Sequence, residues 1–265
     1  MNNSARAFLA VALSIYLLAS GGAGAQPLRV AAASDLQFAM NDLMMRYEKQ
    51  TGQTVEVVYG SSGNFATQIE NGAPFDLFFS ADSNYPAKLI EHGLADQHSL
   101  YLYASGRLAL WASPEDHLNL SEKGFQVLLD PRVTRIAIAN PEHAPYGRAA
   151  VTALQKAGIY EQVQPKLVYG EDILQAAQFV QSGNAQVGIV ALSLAISPVM
   201  QNGDRWLVPV ELSPPLEQSV VVVSSSKNKS AAIQFLALVK SAEGRQLLAK
   251  YGFAPPTSPP GEKRP

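Results

Sequence analysis

Two serines stand where a chain can build an anion site without a charged side chain. Ser34 follows the apolar run Leu28-Arg29-Val30-Ala31-Ala32-Ala33, and Ser62 lies in Gly60-Ser61-Ser62-Gly63-Asn64, directly after Val55-Glu56-Val57-Val58-Tyr59. Each sits where a strand hands over to a helix. A helix start exposes unpaired backbone N–H groups and the positive end of the peptide dipole, so two starts side by side, each with a hydroxyl, form a neutral cradle for an oxyanion. In an open α/β sheet, ligands collect at this carboxyl end of the strands. Each serine alone also reads as a helix cap, and Ser34 with Gln37 three residues on has the form of a capping box. Other chemistry has thinner support. A nucleophilic serine asks for G-x-S-x-G, but Asn64 takes the place of the last glycine. Spacing indicates no His partner, so a secreted serine hydrolase using Ser62 stands as the alternative from another class. Gly60-x-x-Gly63 also lacks the Gly-Lys-Ser/Thr that completes a phosphate-binding loop.

Such a cradle needs strands and helices in alternation. Leu36, Met40, Leu43 and Tyr47 are spaced four, three and four apart, which predicts an amphipathic helix ended by Gly52. Residues 28–59 therefore read as a right-handed parallel βαβ crossover. A short helix carrying Phe65 and Ile69 stops at Asn71-Gly72, and Asp76 to Ser80 reads as a third strand before a helix over Tyr85 to Gly93. A strand-like segment from Leu102 to Ala112 leads into a second series. Its strands are Arg135 to Ala139, Pro165 to Val168 and Val187 to Val190, and its helices Gly147 to Ala157 and Ile173 to Gln181. This alternation predicts two α/β lobes. Val220 to Val223 is a buried strand, followed by an amphipathic helix over Ala231 to Tyr251 with Ile233, Leu236, Val239, Leu247 and Leu248 as apolar positions.

Composition narrows the function. The 265 residues, 47% hydrophobic and 16% charged, supply core for one large or two medium domains. Lys plus Arg at 20 against Asp plus Glu at 22 leaves a net charge of −2, without the basic surplus of a nucleic-acid binder. The absence of Cys excludes disulfides, thiolate metal sites, Cys nucleophiles and a Cys-linked lipid. His92, His98, His117 and His143 contain no i, i+4 pair and give a His-based metal site little support. Residues 1–25 combine Arg6, the apolar stretch Ala7 to Ala19 and Ala23-Gly24-Ala25, the pattern of a cleaved secretory signal. The tail 255–265 holds five Pro and no periodicity, and reads as disordered.

Five strings carry a resemblance: Ala31-Ala32-Ala33-Ser34-Asp35-Leu36, Gly60-Ser61-Ser62-Gly63, Gly72-Ala73-Pro74-Phe75-Asp76-Leu77-Phe78-Phe79-Ser80-Ala81-Asp82, Pro141-Glu142-His143-Ala144-Pro145-Tyr146-Gly147 and Tyr251-Gly252-Phe253. In this order they resemble the periplasmic molybdate-binding proteins of ABC importers, over about residues 27 to 254. The resemblance implies an α/β fold of the two-lobed periplasmic binding type (type II), each lobe a mixed sheet flanked by helices. Lobe 1 would comprise residues 26–106 and 218–254 and lobe 2 residues 107–217, with two crossings near 103–112 and 214–222 as the hinge. It also implies binding of a tetrahedral molybdate or tungstate dianion, a periplasmic location, delivery to an ABC permease in the inner membrane, a monomer without a cofactor, and no catalysis. Carried over by position, Ser34 and Ser62 are the ligand hydroxyls, with their own N–H groups. Tyr146 and Ile173 are backbone donors from the second lobe, and none bonds the metal atom directly. Familiar bacterial members place a ligand Tyr after the Gly-Ile-Val strand, where this chain has Ala191. The Tyr146 hydroxyl is the candidate replacement.

The remaining polar residues are expected elsewhere. Asp76 and Asp82 would repel a dianion and are assigned to turns or lobe contacts; Arg148 is expected to face solvent. Tyr101 and Tyr103 share a strand face, which invites a phenolate iron site, but core or hinge packing explains them equally well and no nearby His or carboxylate completes such a site. A ring of neutral donors suits a bare dianion, whereas protonated phosphate would turn an O–H toward another donor. Sulfate, alike in charge and symmetry, differs in size. A sulfate, thiosulfate or phosphate receptor is thus the alternative within the same fold.

Overall fold

The computed structural model describes residues 26–257; the expected leader, 1–25, and the chain after Thr257 lie outside the described residues. Two mixed five-stranded sheets carry the molecule. The first contains β1 (Leu28–Ala33), β2 (Val55–Gly60), β3 (Leu77–Ser80) and β4 (Tyr101–Gly106), and the second begins with β5 (Leu108–Ala112). β6 (Ile136–Ala139), β7 (Leu167–Gly170), β8 (Val187–Ala191) and β9 (Asp204–Leu207) complete the second sheet, and β10 (Leu216–Val222) returns to the first. The orders are β2-β1-β3-β10-β4 and β7-β6-β8-β5-β9. Helices α1 (Gln37–Thr51), α2 (Ser62–Glu70) and α3 (Asn84–Glu91) flank the first sheet's opening strands. α4 (Pro145–Lys156) and α5 (Ile173–Gln181) follow β6 and β7, and α6 (Lys229–Lys240) and α7 (Ala242–Lys250) come last.

Register decides where the serines go. β1 and β2 run parallel from Leu28↔Val55 to Ala33↔Gly60, so both strands end level and release Ser34 and Ser61-Ser62 side by side. β3 lies on the other side of β1, pairing Ala32 with Phe79. The second sheet repeats the device: β6 and β7 end level at Ala139↔Gly170 and feed the starts of α4 and α5. The fully buried β1, β6 and β8 are apolar throughout except for exposed Arg29 and the internal Gly188, as expected of strands covered on both faces. Phe79 and Phe235 meet edge to face at 6.1 Å, and Tyr47 meets Phe235 at 5.2 Å, which fastens α1 and α6 onto the first sheet.

Several expected elements differ in detail. The segment 102–112 is two strands, because Arg107 leaves the ladder between β4, which pairs with β10 in the first sheet, and β5, which pairs with β8 in the second. The strand expected over 165–168 begins only at Leu167, since Pro165 sits in a tight helical turn. The helix expected over 231–251 is broken at Ser241, whose side chain caps α7 by accepting from the Gly244 N–H. Ile233 is 58% exposed rather than core; the buried stripe of α6 is Ala232, Phe235, Leu236 and Val239. Of the tail, only 255–257 lie among the described residues, where Thr257 donates through its N–H and hydroxyl to Glu217 Oε1 (3.1 and 2.8 Å). No helix among the described residues is long and apolar enough to cross a membrane.

Candidate functional site

Four chain segments that follow level strand ends converge on one cavity between the sheets, lined by Ser34, Asp35, Ser61, Ser62, Tyr146 and Ile173 among others. The cavity is tight: its volume, about 10 Å³, is of the order that one water-sized sphere occupies and far below the pockets that take organic ligands. All four residues expected at the site from the sequence are thus brought together. Ser62 Oγ accepts the Ala81 N–H at 2.9 Å, and Ser34 Oγ accepts the Leu174 N–H at 3.4 Å. Each hydroxyl therefore spends a lone pair on the protein and keeps its own proton to donate. Tyr146 is the second residue of α4 and Ile173 the first of α5, where N–H groups have no intrahelical acceptor. The expected capping box is absent. Ser34 opens a 3-10 turn (Ser34–Leu36) that precedes α1, no side chain caps that turn, and the Ser34 hydroxyl faces the opposite sheet's Leu174 instead. The cap of α2 is Ser61, accepting from the Asn64 N–H, which leaves Ser62 available to the cavity.

Behind the serines lies a buried polar network. Asp35, 1% exposed, accepts at Oδ2 from the Tyr146 hydroxyl (3.0 Å) and from Gln218 Nε2 (2.6 Å). Tyr103 donates to Gln218 Oε1 at 2.6 Å and so turns the amide nitrogen toward Asp35. Ser193, two residues beyond Ala191, donates to the Asp35 carbonyl at 2.7 Å. Gly106 makes room: a Cβ there would collide with the Tyr146 hydroxyl and Gln218. Burial pushes the Asp35 carboxyl up to about 7 against the opposing hydrogen bonds of Gln218 and Tyr146. Burial, and then the charge of Asp35, push the Tyr103 and Tyr146 phenols well above the ordinary range. The Tyr146 hydroxyl is therefore committed to a carboxylate and does not supply the donor that Ala191 lacks. Tyr103 is taken up by the same network, while Tyr101 lies under the Lys240 ammonium at 5.0 Å.

The cavity's rim is ionic. Arg148, expected in solvent, bridges from α4 to Asp82 (2.9 Å) and the Tyr85 hydroxyl (3.1 Å) across the cleft. Asn64 Nδ2 donates to Glu171 at 2.6 Å, and the Gly63 N–H donates to the His143 carbonyl at 2.9 Å. A Cβ on Gly63 would lie 2.6 Å from that carbonyl oxygen, so the close approach of the two halves requires glycine. Asp82 also accepts from the Asn84 N–H in the turn that enters α3, and Asp76 accepts from the Arg29 N–H and from Ser226, so both acids serve turns and lobe contacts. Ser61, His143 and Glu171 do form a row, with Oγ 2.9 Å from Nδ1 and Nε2 3.6 Å from the carboxylate. The second gap is too long for an orienting hydrogen bond, and Ser61 is occupied as a cap. Ser62, the serine a hydrolase would use, faces Ala81 instead.

Sequence reasoning singled out Tyr103 and Tyr146 but not the residues that join them. Asp35 stood only as a letter inside the string Ala31 to Leu36, and Gln218 and Ser193 lie 183 and 158 residues from it, joined only by the fold.

The family model for bacterial extracellular solute-binding proteins matches residues 28–254. The molybdate-binding protein ModA of Rhodobacter capsulatus is 37% identical over 92% of this chain and 94% of its own, and that of Azotobacter vinelandii 37% over 92% and 96%. The solved Azotobacter vinelandii periplasmic molybdate-binding protein superposes with a TM-score of 0.81 at 33% identity, covering 87% of this chain and all of that one. A two-sheet fold, a level-ended pair of strands in each sheet and these full-length similarities lead to one assignment: the chain belongs to the bacterial extracellular solute-binding proteins.

Proposed function

We propose that this chain captures molybdate, and tungstate as its near-isostere, in the periplasm and hands it to the permease of an ABC importer. The observation that carries the reading is the ring of donors without a cation. Ser34 and Ser62, whose hydroxyls accept from the Leu174 and Ala81 N–H groups, and Tyr146 and Ile173 at the starts of α4 and α5 line one small cavity, and none of the residues lining it is Lys or Arg. A bare dianion accepts from every one of them, while protonated phosphate would set an O–H against a donor, at about 1 to 3 kcal/mol for the unsatisfied group. Charge-assisted bonds of about 1.5 to 3 kcal/mol each, four or more of them, offset the cost of stripping the ion of water.

Mechanism follows from where the donors sit. Two come from the β1–β2 side and two from the β6–β7 side, so only the closed arrangement gathers all four, and the ligand shifts the population toward it. A permease that recognises the closed surface then receives loaded protein. Lobe 1 would be 26–106 with 218–254 and lobe 2 107–217, moving about β4–β5 and β10 as one hinge. The chain acts as a monomer after loss of residues 1–25, needs no cofactor and makes or breaks no bond. Similarity at full length to proteins named for molybdate binding supports the choice of ion. Thermal unfolding in the presence of molybdate, tungstate, sulfate and phosphate tests it, because a ligand that binds only native protein stabilises by RT ln(1 + [L]/Kd). A rise with molybdate and tungstate and none with sulfate or phosphate is expected; a sulfate or phosphate response alone assigns the alternative oxyanion.

A further inference from the structure

Resting on the two-lobed reading above, we infer that Gln218 is a positioning residue that latches the two halves together behind the cavity: its side-chain amide, on β10 of the first sheet, holds the Tyr146 hydroxyl of the other half in the closed arrangement and so sets how slowly a captured ion leaves. The geometry of one buried amide carries the argument. Gln218 is 0% exposed and its polar atoms are all placed. Nε2 donates to Asp35 Oδ2 (2.6 Å) and to the Tyr146 hydroxyl (3.2 Å), while Oε1 accepts from the Tyr103 hydroxyl (2.6 Å). The Tyr146 hydroxyl in turn donates to Asp35 Oδ2 at 3.0 Å, which closes a triangle of carboxyl, amide and phenol. Asp35, Tyr103 and Gln218 belong to the first sheet's half; only Tyr146, on α4, comes from the second. Parting the halves therefore breaks both bonds to Tyr146 and leaves the other two standing. With an apolar group in place of Gln218, the phenol oxygen would lose its donor in a site without water, and the closed state rather than the open one would bear that cost.

The strands around Gln218 are built to aim its amide. The β4–β10 ladder slips between Gln218 and Ser219: Gln218 faces Ala104 and Ser219 faces Leu102, so Tyr103 is the extra residue of a β-bulge. A bulge re-aims a side chain, and the Tyr103 hydroxyl meets Oε1, which keeps the amide nitrogen toward Asp35 and Tyr146. Gly106 leaves room where phenol and amide meet, since a Cβ there would lie 2.6 Å from Gln218 Nε2. β4 passes into β5 of the second sheet across Arg107 alone, so the latch sits at the proposed hinge and not at the rim. Gln218 is absent from the residues that line the cavity, and its hydrogen-bonding groups are spent on the protein. It therefore acts on closure and not on the choice of oxyanion.

The test follows release of radiolabelled molybdate from the preloaded full chain into excess unlabelled ion, with equilibrium dialysis for affinity, in wild type, Gln218→Met, Tyr146→Phe and the double variant. Met is close to Gln in size and cannot donate; Tyr146→Phe removes the hydroxyl and keeps the N–H at the start of α4. Gln218→Met should release the ion about tenfold faster, the worth of one buried hydrogen bond, with association within about twofold of wild type. In the Tyr146→Phe background the same substitution should add about twofold at most, because its partner across the cleft is already gone. The ratio of molybdate to tungstate affinity should stay at the wild-type value throughout. Tyr103→Phe, which frees the amide to turn, should give a smaller acceleration that also needs the Tyr146 hydroxyl, and it carries the test if Gln218→Met melts abnormally. Wild-type release from Gln218→Met, or equal acceleration with and without the Tyr146 hydroxyl, overturns this inference alone, as does an association rate that falls in step with affinity. A changed molybdate-to-tungstate ratio also overturns it, by placing Gln218 at the ion. Wild type that retains neither ion overturns the proposed function as well.

Discussion

The two halves of the cleft solve one problem with different parts. In the proposed site the first sheet delivers Ser34 and Ser62, whose side chains would provide the donors, together with a buried carboxyl, Asp35. The second delivers Tyr146 and Ile173, whose side chains pack elsewhere, so that only their backbone would act on an ion. The Tyr146 phenol is spent on Asp35 and the Ile173 side chain is buried in the second sheet's core. The difference teaches that one half of this site can be edited by side-chain substitution while the other is written into the fold through strand register and helix starts.

Replacing both Ser34 and Ser62 by Ala should have the largest effect, removing two charge-assisted bonds of about 1.5 to 3 kcal/mol each and weakening molybdate binding by roughly a hundredfold to ten-thousandfold in calorimetry. A loss under tenfold would move the donors away from the serines. The buried acid gives the first half a second signature, in stability. Burial pushes its carboxyl in the folded chain up to about 7, above the ordinary carboxylate range of about 4, so its contribution is fully present below about pH 4 and is lost as pH rises through 7. Denaturant unfolding of ligand-free wild type should lose of order a few kcal/mol between pH 5 and 8, and Asp35→Asn should not. Equal pH slopes in the two proteins would remove Asp35 from the network.

The second half is sharpened by a pair of substitutions at one position. Ile173→Pro deletes the N–H at the first helical position, which tolerates proline, together with part of a buried side chain, and should weaken binding by roughly tenfold to a hundredfold. Ile173→Val keeps the N–H, costs about 0.5 to 1.5 kcal/mol of unfolding free energy and should weaken binding far less than the proline. Equal losses from both would mean that the side chain, not the backbone, meets the ion. The smallest change is expected at the rim. Arg148→Ala breaks a partly exposed bridge to Asp82 worth no more than about 1 kcal/mol, so affinity should fall a few-fold, and less at high salt.

Local signals carried far in this chain. Alternating strands and helices, the glycine stop at Gly52 and the hydroxyls at the ends of β1 and β2 were all readable, because each depends on neighbours within a few residues. The break at Ser241 was not, since the apolar spacing of α6 runs on into α7 and only the cap at Gly244 reveals the corner. Arg148 read as solvent-facing because its partners, Asp82 and Tyr85, lie more than 60 residues away in the chain. The Tyr146 hydroxyl was misassigned for a related reason. A phenol beside an anion site looks like a ligand until Asp35 and Gln218, brought by the two crossings, are seen to claim it.

A crystal structure with tungstate, located by its anomalous scattering, tests the central claim most directly. The account places the metal between the two sheets, with its oxygens on the Ser34 and Ser62 hydroxyls and on the N–H groups of Tyr146 and Ile173, and with no Lys or Arg within hydrogen-bond reach. An ion held at the rim by Arg148 or His143, or crystals that take up none, would contradict it.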